Sequence, residues 1–328
     1  MILIAPDKFK GHHTAAEVCE AVVARLRAAG YRGDVLCRPM SDGGEGAADM
    51  LLPHGCRQSD TPGVYFDTET GRCVAVSSEV VGFAAFEGSG LPLMRRSSFA
   101  LGRAIPRDVS VYVAVGGTAV ADGGAGFLQG LGVKFYDRFG SQIREPLCPA
   151  TLHNVADADT SALSHYRLTG VVDVEASLIP QHGGRGLSAL DFAPQKALPG
   201  EDLGALAEAL RHLHDVLGGR SPWDGAGGGL GYAIASVVGA PCVSGARMAV
   251  DSLDVGDADI KLVITGEGRV DMQTSRGGKL VDAVYRRMAA RGIPVLVLYG
   301  APDSENLYPW MAPLDSDWIA RIRDILPF

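Results

Sequence analysis

Several familiar signatures are missing from this 328-residue chain, and each absence removes a class of protein. No apolar run approaches the roughly 18 residues of a membrane-spanning helix. The chain opens directly on Ile2-Leu3-Ile4, without the charged and apolar regions of a secretory leader. The expected setting is the cytoplasm, with no membrane partner. Cys19, Cys37, Cys56, Cys73, Cys148 and Cys242 are widely spaced and form no C-x-x-C pair. They read as small buried apolar residues in a reducing compartment, not as a disulfide frame or a zinc site. Basic charge is also short: the net charge of −8 argues against a nucleic-acid partner. It also requires that any anionic ligand be met by a local cluster of cations or backbone N–H groups. No G-x-x-x-x-G-K-[ST] loop is present, and the protein-kinase signatures are absent too. The first strand runs into Ala5-Pro6-Asp7-Lys8 where a dinucleotide-binding dehydrogenase has G-x-G-x-x-G.

What remains is an ordinary globular composition, 47% apolar and 21% charged, on a chain long enough for two domains. Short apolar runs alternate with helical periodicity. Ile2-Leu3-Ile4, Asp34 to Arg38, Val109 to Val115, Thr169 to Glu175, Leu262 to Ile264 and Ile293 to Tyr299 read as strands. Thr14 and Glu17 form a capping-box pattern before Val18, Val22 and Leu26, and Gly30 stops that helix. Leucines from Leu203 to Leu217 mark another helix, and Leu280 to about Ala290 a third. Residues 57–87 read as more strand than helix, and Trp318, Ile322 and Ile325 place a closing helix. The pattern is an α/β fold with mostly parallel sheet. The irregular middle, 61–239, reads as a second α/β domain inserted into a first made of 1–60 and 240–328.

Glycine-rich polar loops follow the strands, where open α/β sheets place their chemistry. They are Pro39 to Gly46, Val115 to Gly124, Asp224 to Gly231 and Thr265 to Lys279. Glycines let backbone N–H groups approach a phosphate, so Gly43, Gly44, Gly116, Gly117, Thr118, Gly227, Gly228, Gly229 and Gly266 are candidate nucleotide contacts. Glu267, Gln273 and Thr274 join them. The same glycines also serve tight turns and close helix–sheet packing. Asp42, Glu45, Asp122, Asp173, Glu267 and Asp271 sit at strand ends or in these loops. Carboxylates so placed hold Mg²⁺ or position an attacking hydroxyl in phosphoryl transfer. We take Asp42, Glu45, Asp173 and Glu267 as the metal set, and Asp42, Asp122 and Asp271 as catalytic. Lys10, Lys196 and Arg269 are the loop cations available to an anionic substrate, with Lys10 and Lys196 the catalytic candidates.

Together these motifs resemble the glycerate kinase family of the glycerate 2-kinase type. The residues that carry the resemblance are Ala5 to Gly11, Pro39 to Gly46, Gly116 to Ala119 with Asp122 to Gly126, Pro194-Gln195-Lys196, Ala226 to Gly231, and Thr265 to Arg269 with Asp271, Gln273 and Thr274. The resemblance implies ATP- and Mg²⁺-dependent phosphorylation of D-glycerate to 2-phosphoglycerate, by a monomer or homodimer. It also implies two α/β domains, one of them Rossmann-like and carrying both termini, with the active site in the cleft between them. Ala121 stands where the family has Asn, Ala193 and Ala197 replace glycines, and Phe99-Ala100-Leu101-Gly102 has lost one. Two alternatives follow from these departures: a kinase for a different small hydroxycarboxylic acid of a specialised biosynthetic pathway, or a non-catalytic ligand-binding homologue.

Overall fold

The computed structural model describes residues 1–9, 12–52, 57–180, 186–253, 259–270, 280–301, 307–323, 325–326 and 328. In chain order its strands begin with β1 (Ile2–Ile4) and β2 (Val35–Cys37). There follow β3 (Arg57–Gln58), β4 (Val64–Phe66), β5 (Cys73–Val76), β6 (Ser110–Ala114), β7 (Lys134–Tyr136), β8 (Gln142–Ile143) and β9 (Asp157–Asp159). The last are β10 (Arg167–Val172), β11 (Cys242–Ser244), β12 (Leu262–Glu267), β13 (Val295–Tyr299) and β14 (Met311–Pro313). No helix among the described residues is long and apolar enough to cross a membrane.

The chain divides into two compact units, Met1–Asp42 with Gly245–Phe328, and Gly43–Ser244. The sequence placed the first join near residue 60. Among the described residues β3 pairs with β4, and helix Ala47–Leu51 packs on β5, both within the second unit.

The first unit is a parallel sheet in the order β14-β13-β12-β1-β2. Its central strands are buried along their whole length, which their unbroken apolar runs require. Helix Ala15–Ala28 starts at the expected capping box: Glu17 N–H donates to Thr14 Oγ1 at 3.2 Å, and Glu17 Oε2 accepts the Thr14 N–H at 2.8 Å. Val18, Val22 and Leu26 fall on its buried face and share one core with Ile2, Ile4, Leu262, Ile264 and Trp318. Gly30, at φ 100°, ends the helix as its position predicted.

The second unit holds a six-stranded sheet, β11-β10-β6-β5-β4-β3, parallel from β11 to β5 and antiparallel at the β4 and β3 edge. A small antiparallel sheet, β8-β7-β9, is an addition that its two- and three-residue strands hid from periodicity. Strand β10 stops at Val172, short of the expected acidic end, which leaves Asp173 and Glu175 in the loop beyond it. Helix Gly204–Leu217 buries Leu206, Leu210 and Leu213 as its leucine spacing requires. The closing helix runs over Ile319–Arg323 and buries Ile322, while Ile325 lies outside it and is exposed.

Candidate functional site

In the first unit, parallel pairing lines up the carboxyl ends of β1, β2 and β12. Beyond β1 the chain keeps the register: Ala5 N–H donates to Ile264 O and Asp7 N–H to Gly266 O, both at 2.8 Å. On the other side Met40 N–H donates to Pro6 O at 3.0 Å. Asp7 is thereby set close to Asp42 and Glu267. Burial pushes its carboxyl well up, the negative charge of Asp42 adds to this, and Glu267 contributes further; Lys8 pulls the other way. Asp42 is half-buried and Glu267 buried. Asp7 belongs to the Ala5 to Gly11 motif and is not among the candidate carboxylates above. Its signal was position, since it follows β1 as Asp42 follows β2. Gly266 sits within β12, where a side chain would overlap the Leu298 carbonyl of β13, so close strand packing explains it. Lys10, Asp271, Gln273 and Thr274 lie outside the described residues. Arg269 is exposed.

In the second unit, the ends of β6 and β10 meet the loop that enters the unit. Gly116 N–H donates to Gly43 O at 3.0 Å. A Cβ on Gly116 would lie 3.1 Å from Asp173 Oδ2 and 3.2 Å from Gly44 Cα, so Gly43, Gly44, Gly116 and Asp173 form one cluster. Glu45 is exposed in the same loop. Gly117, at φ 76°, passes so close to Ser78 that a Cβ would come within 2.9 Å of the serine Cβ. Thr118 is buried, and its Oγ1 accepts from Lys196 Nζ at 3.1 Å; the same ammonium donates to Val120 O at 2.9 Å. Burial brings the Lys196 pKa down to about 8, against the opposing pull of Asp173 and then Asp122. A buried lysine this close to neutrality, beside a glycine loop, is a common signature of a functional site.

Two sets of candidates take structural jobs. Asp122 is fully buried, and its oxygens accept from Ser98 N–H and Oγ–H and from the N–H groups of Gly124 and Gly126, at 2.7–3.2 Å. Burial raises its carboxyl above the usual range although these donors act to lower it. With its lone pairs committed, Asp122 braces the loop to Ser98. Gly227, Gly228 and Gly229 press on the loop from Val115 to Gly123, and Gly123 N–H donates to Gly228 O at 3.1 Å. A side chain on Gly228 would overlap the Val120 carbonyl. Packing accounts for the run. Gly228→Ala, at φ 71°, is expected to destabilise the protein by about 2–3 kcal/mol in a urea titration. Ala121 is buried in the same contact.

A cavity of about 650 Å³ in this unit is lined by Phe83, Phe86, Arg96, Gln195, Lys196 and Leu198, among others. Lys196 connects it to the glycine loop.

Fold and family together define an alcohol-acceptor phosphotransferase of two α/β units, without the Walker loop. The chain belongs to the glycerate kinase family, whose sequence profile matches residues 2–309. It is 30% identical to a glycerate kinase of Neisseria meningitidis serogroup B, over 92% of this chain and 85% of that one. Identity to the glycerate 2-kinase of Escherichia coli K12 is 28%, over 84% of this chain and 79% of the other. A crystal structure described as a glycerate kinase 2 from Salmonella typhimurium LT2 superposes with a TM-score of 0.69, at 25% identity, covering 95% of this chain and 89% of that one.

Proposed function

We propose that this protein transfers the terminal phosphoryl group of ATP to D-glycerate, giving 2-phosphoglycerate, with Mg²⁺. The observation that carries this reading is the buried Lys196 ammonium bonded to Thr118 in the glycine loop, within a family of glycerate kinases. The loop brings this ammonium to the ends of β6 and β10, and Gly116 and Gly117 let it pack closely on Gly43, Gly44 and Ser78. Lys196 offers a point charge there, and Asp173 lies beside Gly116 to orient it. Phosphoryl transfer depends mainly on such positioning and charge stabilisation.

The donor set for Mg²⁺ is oxygen-only, as that ion prefers. Among the described residues no group of three or more His, Cys, Asp or Glu side chains is placed to hold a metal ion, so the ion we propose would be held by one or two carboxylates and by substrate phosphates. Bound there, the ion would neutralise phosphate charge. Asp42 and Glu267 in the first unit are the residues we assign to it; burial raises the carboxyl of the neighbouring Asp7 most and their negative charge raises it further, a repulsion that a cation would relieve. Because the folded-state pKa of Asp7 is raised, its contribution to stability is present below the unfolded carboxyl value and lost as pH rises through the folded one. Thermal melts of the metal-free protein should show this slope, Mg²⁺ should flatten it, and Asp7→Asn should remove it. A slope unchanged in Asp7→Asn would count against this assignment.

The substrate is tested by ADP release with D-glycerate, L-glycerate, tartronate and erythronate, followed by phosphorus NMR to locate the ester. No turnover with any of them would sink the glycerate reading. A different small hydroxycarboxylic acid is the second reading, with the apolar Phe83, Phe86 and Leu198 beside Lys196 as the side chains that would meet its carbon chain.

A further inference from the structure

A second buried cation lies in the wall of that cavity. Arg96 is 5% exposed, and its donors go to main-chain carbonyls: Nε to Leu91 O at 2.9 Å, and Nη1 to Lys196 O at 2.9 Å and Ala119 O at 3.2 Å. Its guanidinium also stands 5.1 Å from the centre of the Phe86 ring. Glu201 completes the arrangement by accepting the N–H groups of Leu93 at 2.9 Å, Met94 at 3.0 Å and Leu198 at 3.1 Å. Burial opposes ionisation of Glu201, but those N–H groups and the charge of Arg96 hold its carboxyl below the usual range.

The carbonyls that Arg96 grips are telling. One belongs to Lys196 itself. Another belongs to Ala119, which lies between Thr118 and Val120, the two acceptors of the Lys196 ammonium. A planar guanidinium can hold both segments at fixed separation, which a lysine's flexible stem cannot do as well. We propose that Arg96 is a positioning residue for phosphoryl transfer, setting the Lys196 main chain and the Thr118 loop in register so that the ammonium is held at its post. This rests on the role given to Lys196 above.

The groups facing the ammonium are Asp173 after β10 and Asp122 before helix Ala125–Leu131, with Arg96 and Glu201 on its main-chain side. Loss of the grip lets water reach the lysine, so its titration should move upward from about 8 toward the ordinary 10.5.

The test compares full-length wild type, Arg96→Ala, Arg96→Lys, Glu201→Gln and Lys196→Ala, with D-glycerate and Mg-ATP across pH. The pH at which Lys196 becomes modifiable by an amine-selective reagent, mapped by mass spectrometry, reads the lysine without turnover. Arg96→Ala should lose about 10²-fold in kcat, regain part of it on adding guanidinium at sub-denaturing concentration, and raise the modification midpoint. Arg96→Lys should fall between it and wild type. If Arg96→Ala does not fold, Arg96→Lys and Glu201→Gln carry the comparison. An unchanged kcat and midpoint, or a rise in KM alone, overturns the proposal. Wild-type turnover in Lys196→Ala would instead overturn the reading of Lys196.

Discussion

Replacing Lys196 by methionine is expected to lower kcat/KM by about 10³-fold without loss of fold. Methionine keeps the bulk of the stem in a buried site and removes a charge that burial disfavours, as the lowered pKa of Lys196 shows. The melting temperature should therefore hold or rise while activity collapses. The wild-type pH profile carries the same signature. With a pKa of about 8, Lys196 loses its proton as pH rises through that value, so kcat/KM should fall on the alkaline side there. A bound anion favours the ammonium, so the corresponding limb in kcat should lie at higher pH. Stability runs the other way. The folded value lies below the unfolded 10.5, so this group's contribution is fully present above 10.5 and lost as pH falls through about 8. Between those values the protein gains stability as it loses activity, and Lys196→Met should flatten the gain. Full activity in that variant would remove Lys196 from the mechanism.

Asp122→Ala is expected to cost about 3–5 kcal/mol, because it strands several buried donors at once. In a unit of this size that corresponds to a fall of about 10 °C in melting temperature. Asn should rescue little, since its NH₂ group would face the N–H groups of Ser98, Gly124 or Gly126. Calorimetry and urea titration of both variants provide the measurement. A melting temperature equal to wild type would show that the brace carries no stability.

Local grammar was legible. Thr14 and Glu17 announced their helix because a capping box is closed within four residues, and the buried parallel strands announced themselves as unbroken apolar runs. The positions of Asp42, Gly116 and Asp173 at strand ends followed from the same pattern. What stayed hidden depends on distant partners. Asp122 looked catalytic because its main partner, Ser98, lies 24 residues away, and nothing local reveals that bond. The Gly227 to Gly229 run has the composition of a phosphate loop, yet the Val120 carbonyl that explains Gly228 comes from more than a hundred residues upstream. Arg96 carried no motif at all; its meaning lies in carbonyls of Leu91, Ala119 and Lys196 that only the fold assembles.

The placement of β1 in its sheet bears on how the chain comes together during synthesis. Its hydrogen-bonded neighbours are β2 and β12, and the second of these is made some 260 residues later. Met1–Asp42 therefore leaves the ribosome long before the strand that must flank it exists, whereas Gly43–Ser244 is contiguous and has its own core. Domains usually fold in the order they emerge. Here that order is inverted: the middle of the chain can fold first, and the amino-terminal strand waits with its apolar face uncovered. Non-local pairings of this kind are slow to form, so the pairing of β1 with β12 is expected to come late in folding.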